Sequence, residues 1–259
     1  MAKIAPSSRG QMRSSRLGGV PTELPPHRGA ARQLALPLGG RESGADRRPA
    51  QLLPGVVHVA GWLDLVQQQN IVAQFREWAL PPAGLRHPRV PSGNLMTVQS
   101  VCLGWHWVPY AYSKTADDTD GAPVKPIPPE IVELGRTAVA EAYGQRSAEA
   151  AAYRPDAVIA NLYGPGARLG LHHDGEEISD APVVTISIGD TCVFRFAGVD
   201  RRTAPFTDVE LRSGDLLVFG GPSRRIYHGV PKIFEETAPE TLDLPAGRLS
   251  LTLRETGLD

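Results

Sequence analysis

Cysteine is nearly absent: Cys102 and Cys192 are the whole supply in 259 residues. Two thiols cannot build a disulfide framework or a cysteine zinc site, so a reducing, cytoplasmic setting is expected and each thiol reads as a small buried apolar residue. No run approaches the roughly 18 uninterrupted apolar residues that a membrane span needs, and no apolar signal core follows the N-terminus. A soluble monomer with no membrane contact is the expectation. The chain also lacks a basic excess, with a net charge of −1, so bulk electrostatics gives no reason to expect nucleic-acid binding. Internal repeats are absent, and aromatics make up only 6% of the chain.

Charge is nevertheless unevenly spread. The first fifty residues hold nine basic side chains against three acidic ones, an excess of six that leaves −7 for the remainder. Residues 1–49, rich in Gly, Pro, Ser and Arg without sustained periodicity, read as a disordered basic tail. Three roles stay open for it: a basic arm for nucleic acid, a transit peptide or a dispensable extension. Within it, 33–38 is apolar enough for a short docking motif or an added strand.

Residues 50–259 are long enough for one catalytic domain. A strand is expected over 54–59, then a helix near 64–79 with Ile71, Val72, Phe75, Trp78 and Ala79 on one stripe. A second helix starts at Pro128-Pro129 and ends at Gly144, with Ile131, Leu134, Ala138 and Ala142 inward. Beyond Ala157 the pattern becomes short alternating strands at 157–163, 183–188, 192–196, 208–211, 216–219 and 249–254. The fold class expected is mainly β with flanking helices, a double-stranded β-helix or jelly roll.

The chemistry concentrates at His172-His173-Asp174. On a strand, residues i and i+2 share a face, so His172 and Asp174 can grip one ion while His173 points away. His228, fifty-six positions on, is the candidate third ligand. Two imidazoles and one carboxylate on one side of an octahedral metal leave positions open for a co-substrate and dioxygen, as in Fe(II) oxygenases; a structural zinc fills its shell instead. At the chain's end, Arg248-Leu-Ser250-Leu-Thr252-Leu-Arg254 alternates strictly, placing leucines on one face and two arginines on the other. Guanidiniums facing inward are costly unless anions meet them, and a dicarboxylate would satisfy both; a wet edge strand is the other reading.

These motifs together resemble the AlkB family of iron(II)- and 2-oxoglutarate-dependent dioxygenases over roughly Val90 to Arg254. Asn161-x-Tyr163 with Pro165-Gly166, His172-x-Asp174, Gly214-Asp215, Tyr227-His228-Gly229 and Arg248-x-Ser250-x-Thr252-x-Arg254 follow the family's order. The resemblance implies that His172, Asp174 and His228 bind Fe(II). It implies further that Arg248 and Arg254 hold the carboxylates of 2-oxoglutarate and that Asn161 and Tyr163 hydrogen-bond it. Ser250 stands where bacterial members usually carry Asn; a hydroxyl can still reach the co-substrate, directly or through water.

Met96 to Tyr112 gathers aromatics and looks like the family's nucleotide-recognition lid, set at about 90–125. By that analogy Met96 belongs to the lid, Trp105 stacks on the base opposite His172, and Tyr110 and Tyr112 flank the substrate, with Tyr110 on the phosphate backbone. The segment is two residues shorter than in the best-known members, and Trp107 reads as packing. Glu176 stands where the repair enzymes usually have Asp against the base. Arg201-Arg202, Arg212, Arg224-Arg225 and Lys232 flank the site and form either a phosphate patch, with Arg201 as a substrate contact, or scattered solvated charges.

The reaction so implied takes Fe(II), 2-oxoglutarate and O2 and removes an N-methyl group as formaldehyde while the co-substrate becomes succinate. The expected substrates are 1-methyladenine and 3-methylcytosine in DNA, single-stranded or with a flipped base, with RNA as a second polymer. Two rivals remain open: a dioxygenase of the same fold acting on RNA, a protein or a small molecule, and a non-catalytic jelly-roll binder of metal or nucleic acid.

Overall fold

Strict alternation of side chains along β-strands is what gives this chain two separate cores. The computed structural model describes residues 48–244 and 247–259; the tail expected over 1–49 lies outside the described residues, apart from its last two positions. In chain order the elements are β1 (Ala50–Leu53), β2 (Val56–Val59), α1 (Leu65–Ala79), β3 (Gln99–Leu103), β4 (His106–Val108) and β5 (Ala111–Ser113). There follow α2 (Pro129–Tyr143), α3 (Ala148–Ala152), β6 (Ala157–Tyr163), β7 (Leu169–His172), β8 (Val183–Gly189) and β9 (Thr191–Phe196). The chain closes with β10 (Thr207–Leu211), β11 (Leu216–Phe219), β12 (His228–Phe234) and β13 (Arg248–Arg254).

Seven strands form one sheet in the order β1-β2-β11-β8-β13-β6-β3, and four form a second, β10-β9-β12-β7. All the strand pairs are antiparallel, the two-sheet arrangement of a jelly roll, as expected. Along β11, Leu216 and Val218 join the core shared with α1 and α2, while Leu217 and Phe219 join the core shared with β9 and β12. The leucines of β13 likewise pack toward the helices, with Leu249, Leu251 and Leu253 fully buried.

Local signals set the helices. Asp64 accepts the Gln67 backbone N–H, and the Gln67 side chain accepts from Asp64, a reciprocal capping box at the start of α1. Ile71, Val72, Phe75 and Trp78 form its buried face. Proline opens α2 and Gly144 ends it at φ 96°.

Several elements were not anticipated. Strand β3 falls inside the expected lid segment, yet it pairs with β6 in the large sheet; only the hairpin β4–β5 and its flanking loops stand outside that sheet. The strand ending at His172 is only four residues long and holds Gly170, and β12 contains Pro231, so neither carries a sustained strand pattern. Nor does β13 lie at an edge: it sits between β8 and β6 with all seven residues buried. Among the described residues no helix is long and apolar enough to cross a membrane. Cys102 and Cys192 are both buried and unpaired, and burial pushes both thiols up.

Candidate metal and co-substrate site

His172 ends β7 and His228 begins β12, and the register makes them direct cross-strand partners. Cross-strand neighbours on one face stand about 5 Å apart at Cβ, and here the two rings have centroids 4.5 Å apart. Asp174 lies two residues past the end of β7, in a loop, so, contrary to the expectation above, strand periodicity does not bring it to the site. Two arginines hold that loop instead. Arg225 donates to the carbonyls of Asp174 (2.8 Å) and Glu177 (3.0 Å), and Arg224 to those of Ala181 (2.6 Å) and Asp174 (3.4 Å).

His172, Asp174 and His228 present ligand atoms all within 4.8 Å of one another. Asp174 oxygens lie 3.9 Å from His172 Nε2 and 3.8 Å from His228 Nε2, gaps that an ion bonded at about 2.1 Å to each atom bridges. Both imidazoles are oriented for this. Nδ1 of His172 donates to the Gly170 carbonyl (2.9 Å) and Nδ1 of His228 to the Ile226 carbonyl (3.0 Å). A carbonyl can only accept, so the Nδ1 atoms carry the protons and the Nε2 lone pairs face the centre.

Electrostatics keep the set in ligand form. Burial, and then the neighbouring His172, push His228 down to about 4, so the imidazole is neutral at pH 7. Burial pushes Asp174 up, but Arg254, helped by the two histidines and Arg224, outweighs it and holds the carboxyl well below the usual range. Arg254 Nη2 donates to Asp174 Oδ1 at 2.7 Å, while Asp174 Oδ2 is buried with no hydrogen-bond partner. A buried carboxylate oxygen left bare is costly, and a cation satisfies it.

Four of the five residues expected to hold the co-substrate line a narrow pocket beside these side chains, Asn161 and Tyr163 from β6 and Ser250 and Arg254 from β13, and Arg248 does not. Arg248 is 0% exposed. Its Nε donates to Ser187 Oγ (3.0 Å) and its Nη2 to Ser250 Oγ (3.3 Å), its guanidinium lies 5.1 Å over the Tyr163 ring, and its Nη1 has no partner. A buried guanidinium with only neutral partners is an uncompensated charge, and a carboxylate is what it lacks. Arg254 also has a buried Nε with no partner. Two such donors on one strand face fit a dicarboxylate, so the residues present suit 2-oxoglutarate. Ser100 Oγ donates to Asn161 Oδ1 at 2.5 Å, which leaves the amide nitrogen as Asn161's donor. Burial lifts Tyr163 to about 12, so its hydroxyl stays protonated and able to donate.

A larger cavity of about 620 Å³ opens over His172 and Asp174. Met96, Tyr110 and Glu176 line it as the sequence suggested; Trp105, Tyr112 and Arg201 do not, and Trp107, Arg168 and Arg202 do. Trp105 is turned inward, 7% exposed, with Lys114 Nζ 3.2 Å above its ring. Gly104 makes that turn at φ 77°, where a Cβ would collide with the Asp156 carbonyl. Trp107 belongs instead to β4, and its indole N–H is buried without a partner. Its backbone is pinned from below: Arg86 donates to the Trp107 and Ser100 carbonyls and, at 3.0 Å, to both oxygens of Asp118, which also bonds His106 (2.5 Å). The expected phosphate patch divides. Arg224 is buried against the Asp174 loop, while Arg202 sits at the cavity, 4.9 Å over the Tyr227 ring. Sequence reasoning missed Glu177, whose carboxylate meets both Arg254 and Arg224.

Comparison with known proteins agrees with this geometry. Residues 55–254 match the 2OG-Fe(II) oxygenase superfamily. A DNA N(6)-methyladenine demethylase of Arabidopsis thaliana, ALKBH1D, is 36% identical over 220 residues, covering 78% of this chain and 49% of its own length, so the chain spans about half of that relative. An alpha-ketoglutarate-dependent dioxygenase AlkB homolog of Caulobacter vibrioides is 33% identical over 213 residues, covering 80% of this chain and 90% of its own. The solved structure of OsALKBH1 superposes with a TM-score of 0.69 at 32% identity, covering 80% of this chain and 100% of that one. By sequence and by fold, this chain belongs to the 2OG-Fe(II) oxygenase superfamily and, within it, to the AlkB family, whose cofactors are Fe(II), 2-oxoglutarate and O2.

Proposed function

We propose that this chain is a dioxygenase that oxidatively removes N-methyl groups from nucleobases in DNA, releasing formaldehyde and succinate. The observation that carries this reading is the cavity of about 620 Å³ with Met96, Trp107 and Tyr110 on its walls and His172 and Asp174 at its base. A flat aromatic wall over a metal site suits a base taken out of its stack. The names of the Arabidopsis and Caulobacter relatives support demethylation and dioxygenase chemistry.

When bound, iron and 2-oxoglutarate supply the oxidising power, coupling decarboxylation of the co-substrate to hydroxylation of the methyl carbon. His172, Asp174 and His228 would hold the metal; Arg248 and Arg254, with Asn161, Tyr163 and Ser250, would hold the co-substrate. Trp107 and Met96 enclose the base and keep water from the reacting carbon. Glu176 on the cavity wall offers a carboxylate to a cationic ring, which favours 1-methyladenine and 3-methylcytosine over neutral bases. Arg168 and Arg202, also lining the cavity, fit the phosphates flanking a flipped or single-stranded base, in DNA first and RNA second. The buried unpaired thiols fit a reducing cytoplasmic setting, and a monomer is the simplest reading because His172, Asp174 and His228 come together within one chain.

The test is methyl loss by mass spectrometry from 1-methyladenine, 3-methylcytosine and N6-methyladenine oligonucleotides, with Fe(II), 2-oxoglutarate and air, and His172→Ala as control. Loss from the two cationic bases, absent in the variant, is the expected result. Succinate release dependent on His172 with no demethylation of any oligonucleotide overturns the nucleic-acid reading and points to a protein or small-molecule substrate.

A further inference from the structure

Tyr112 was expected to face the substrate, yet it does not line the cavity; it turns toward the co-substrate arginine. Its hydroxyl donates to Glu177 Oε1 at 2.5 Å and accepts from Arg254 Nη1 at 3.1 Å. The same Nη1 donates to Glu177 Oε1 at 2.9 Å, closing a three-membered ring of hydrogen bonds. Glu177 has a side chain 0% exposed, and Arg254 is 6% exposed. Arg254 thus meets the metal ligand Asp174 with one nitrogen and the hairpin β4–β5 with another.

The hairpin carries that contact to the cavity. Tyr112 is the direct cross-strand partner of Trp107, so the two side chains share a face of the hairpin, and Trp107 is a cavity wall. The anchor is expensive to break: withdrawing Tyr112 leaves a buried carboxylate and a buried guanidinium each short of a partner in a low-dielectric interior. Arg254 in turn has its Nε unpartnered beside the narrow pocket.

We infer that Tyr112 and Glu177 form a positioning link by which occupancy of the co-substrate site fixes the pose of the hairpin that carries Trp107. This rests on the 2-oxoglutarate reading of Arg248 and Arg254, and not on the nature of the main substrate. A carboxylate docked on Arg254 locks the guanidinium, which locks Tyr112 through the shared hydrogen bonds. By linkage a closed hairpin then raises co-substrate affinity by the same factor. Co-substrate binding thereby tightens the pose of a cavity wall already in place, and neither residue touches the reacting atoms.

The experiment is hydrogen exchange of residues 106–113 in the full-length Mn(II)-loaded protein, with and without 2-oxoglutarate, whose binding is followed by calorimetry in the same samples. In the wild type the co-substrate should slow exchange in this hairpin on the order of tenfold. Tyr112→Phe should fold, bind 2-oxoglutarate more weakly by a similar factor, and lose the slowing. Glu177→Gln, which keeps an oxygen to accept from Tyr112, should retain part of the slowing that Glu177→Ala abolishes. Equal slowing in the wild type and Tyr112→Phe overturns the link, as does a wild type that binds 2-oxoglutarate with no change in the hairpin. No nucleic acid is present, so a failure to demethylate DNA leaves this result intact, whereas a wild type that binds no 2-oxoglutarate overturns both the co-substrate reading and the link.

Discussion

Arg254 Nη2 lies 2.7 Å from Asp174 Oδ1, joining the expected co-substrate residue directly to the expected metal ligand. Both are buried, so each is the other's main compensation for lost hydration.

Removing Arg254 should therefore damage two properties at once. Arg254→Ala leaves Asp174 and Glu177 as neighbouring buried carboxylates, and a loss of about 3–5 kcal/mol of stability follows. The Asp174 carboxyl should rise toward neutrality and metal affinity should fall. Chemical denaturation and Mn(II) titration measure the two effects; a variant as stable as wild type would refute the account.

Arg248 should behave oppositely. Its hydrogen-bond partners are the hydroxyls of Ser187 and Ser250, so Arg248→Met removes a buried charge that no carboxylate among the described residues meets. Stability should stay level or rise, while 2-oxoglutarate affinity drops by roughly 10- to 100-fold, the worth of a charged hydrogen bond of about 1.5–3 kcal/mol. Thermal unfolding and calorimetry on one sample separate the two, and a variant that melts well below wild type contradicts the anion-site reading.

The two tryptophans should part company. Trp107→Ala should raise KM for a methylated oligonucleotide by about 5- to 150-fold, the range of base stacking at 1–3 kcal/mol, with little change in melting. Trp105→Ala should cost about 3–5 kcal/mol of stability, because the ring is buried under Lys114. A kinetic defect confined to Trp105→Ala would return the stacking role to that residue.

Acid should weaken the support under Trp107. Burial, and next the charge of Arg86, lower the pKa of His106 despite its bond to Asp118. The unfolded chain then binds the proton more readily than the folded one, so this contribution is present above the unfolded value of about 6.5 and is lost as pH falls below it. Melting temperature should decline between pH 7.5 and pH 5.5, and His106→Gln should flatten the decline. A wild-type profile no steeper than that of the variant contradicts this assignment.

Much of the site was legible because it is written in short-range pattern. The alternation over 248–254 predicted which face carries Arg248, Ser250 and Arg254, and β13 obeys it. The motif order assembled His172, Asp174, His228, Asn161 and Tyr163 in one place. The lid was less legible. Trp105 and Trp107 are two residues apart in an aromatic-rich stretch, and nothing local distinguishes the wall from the packing residue; the glycine turn at Gly104 decided it.

By itself the sequence determined the inventory of chemistry: two imidazoles and a carboxylate, two inward arginines, alternating strands and two helices, since each follows from residue type and period. Tertiary structure alone decided how these pieces meet. His172 and His228 are partners because β7 and β12 pair in one register across fifty-six residues. Asp174 reaches them because Arg224 and Arg225 hold its loop by backbone carbonyls. Tyr112 meets Arg254 because burial brings the second strand of the hairpin and the last strand together around Glu177. Register and long-range hydrogen bonds depend on what the rest of the chain packs against them, and no local pattern encodes that.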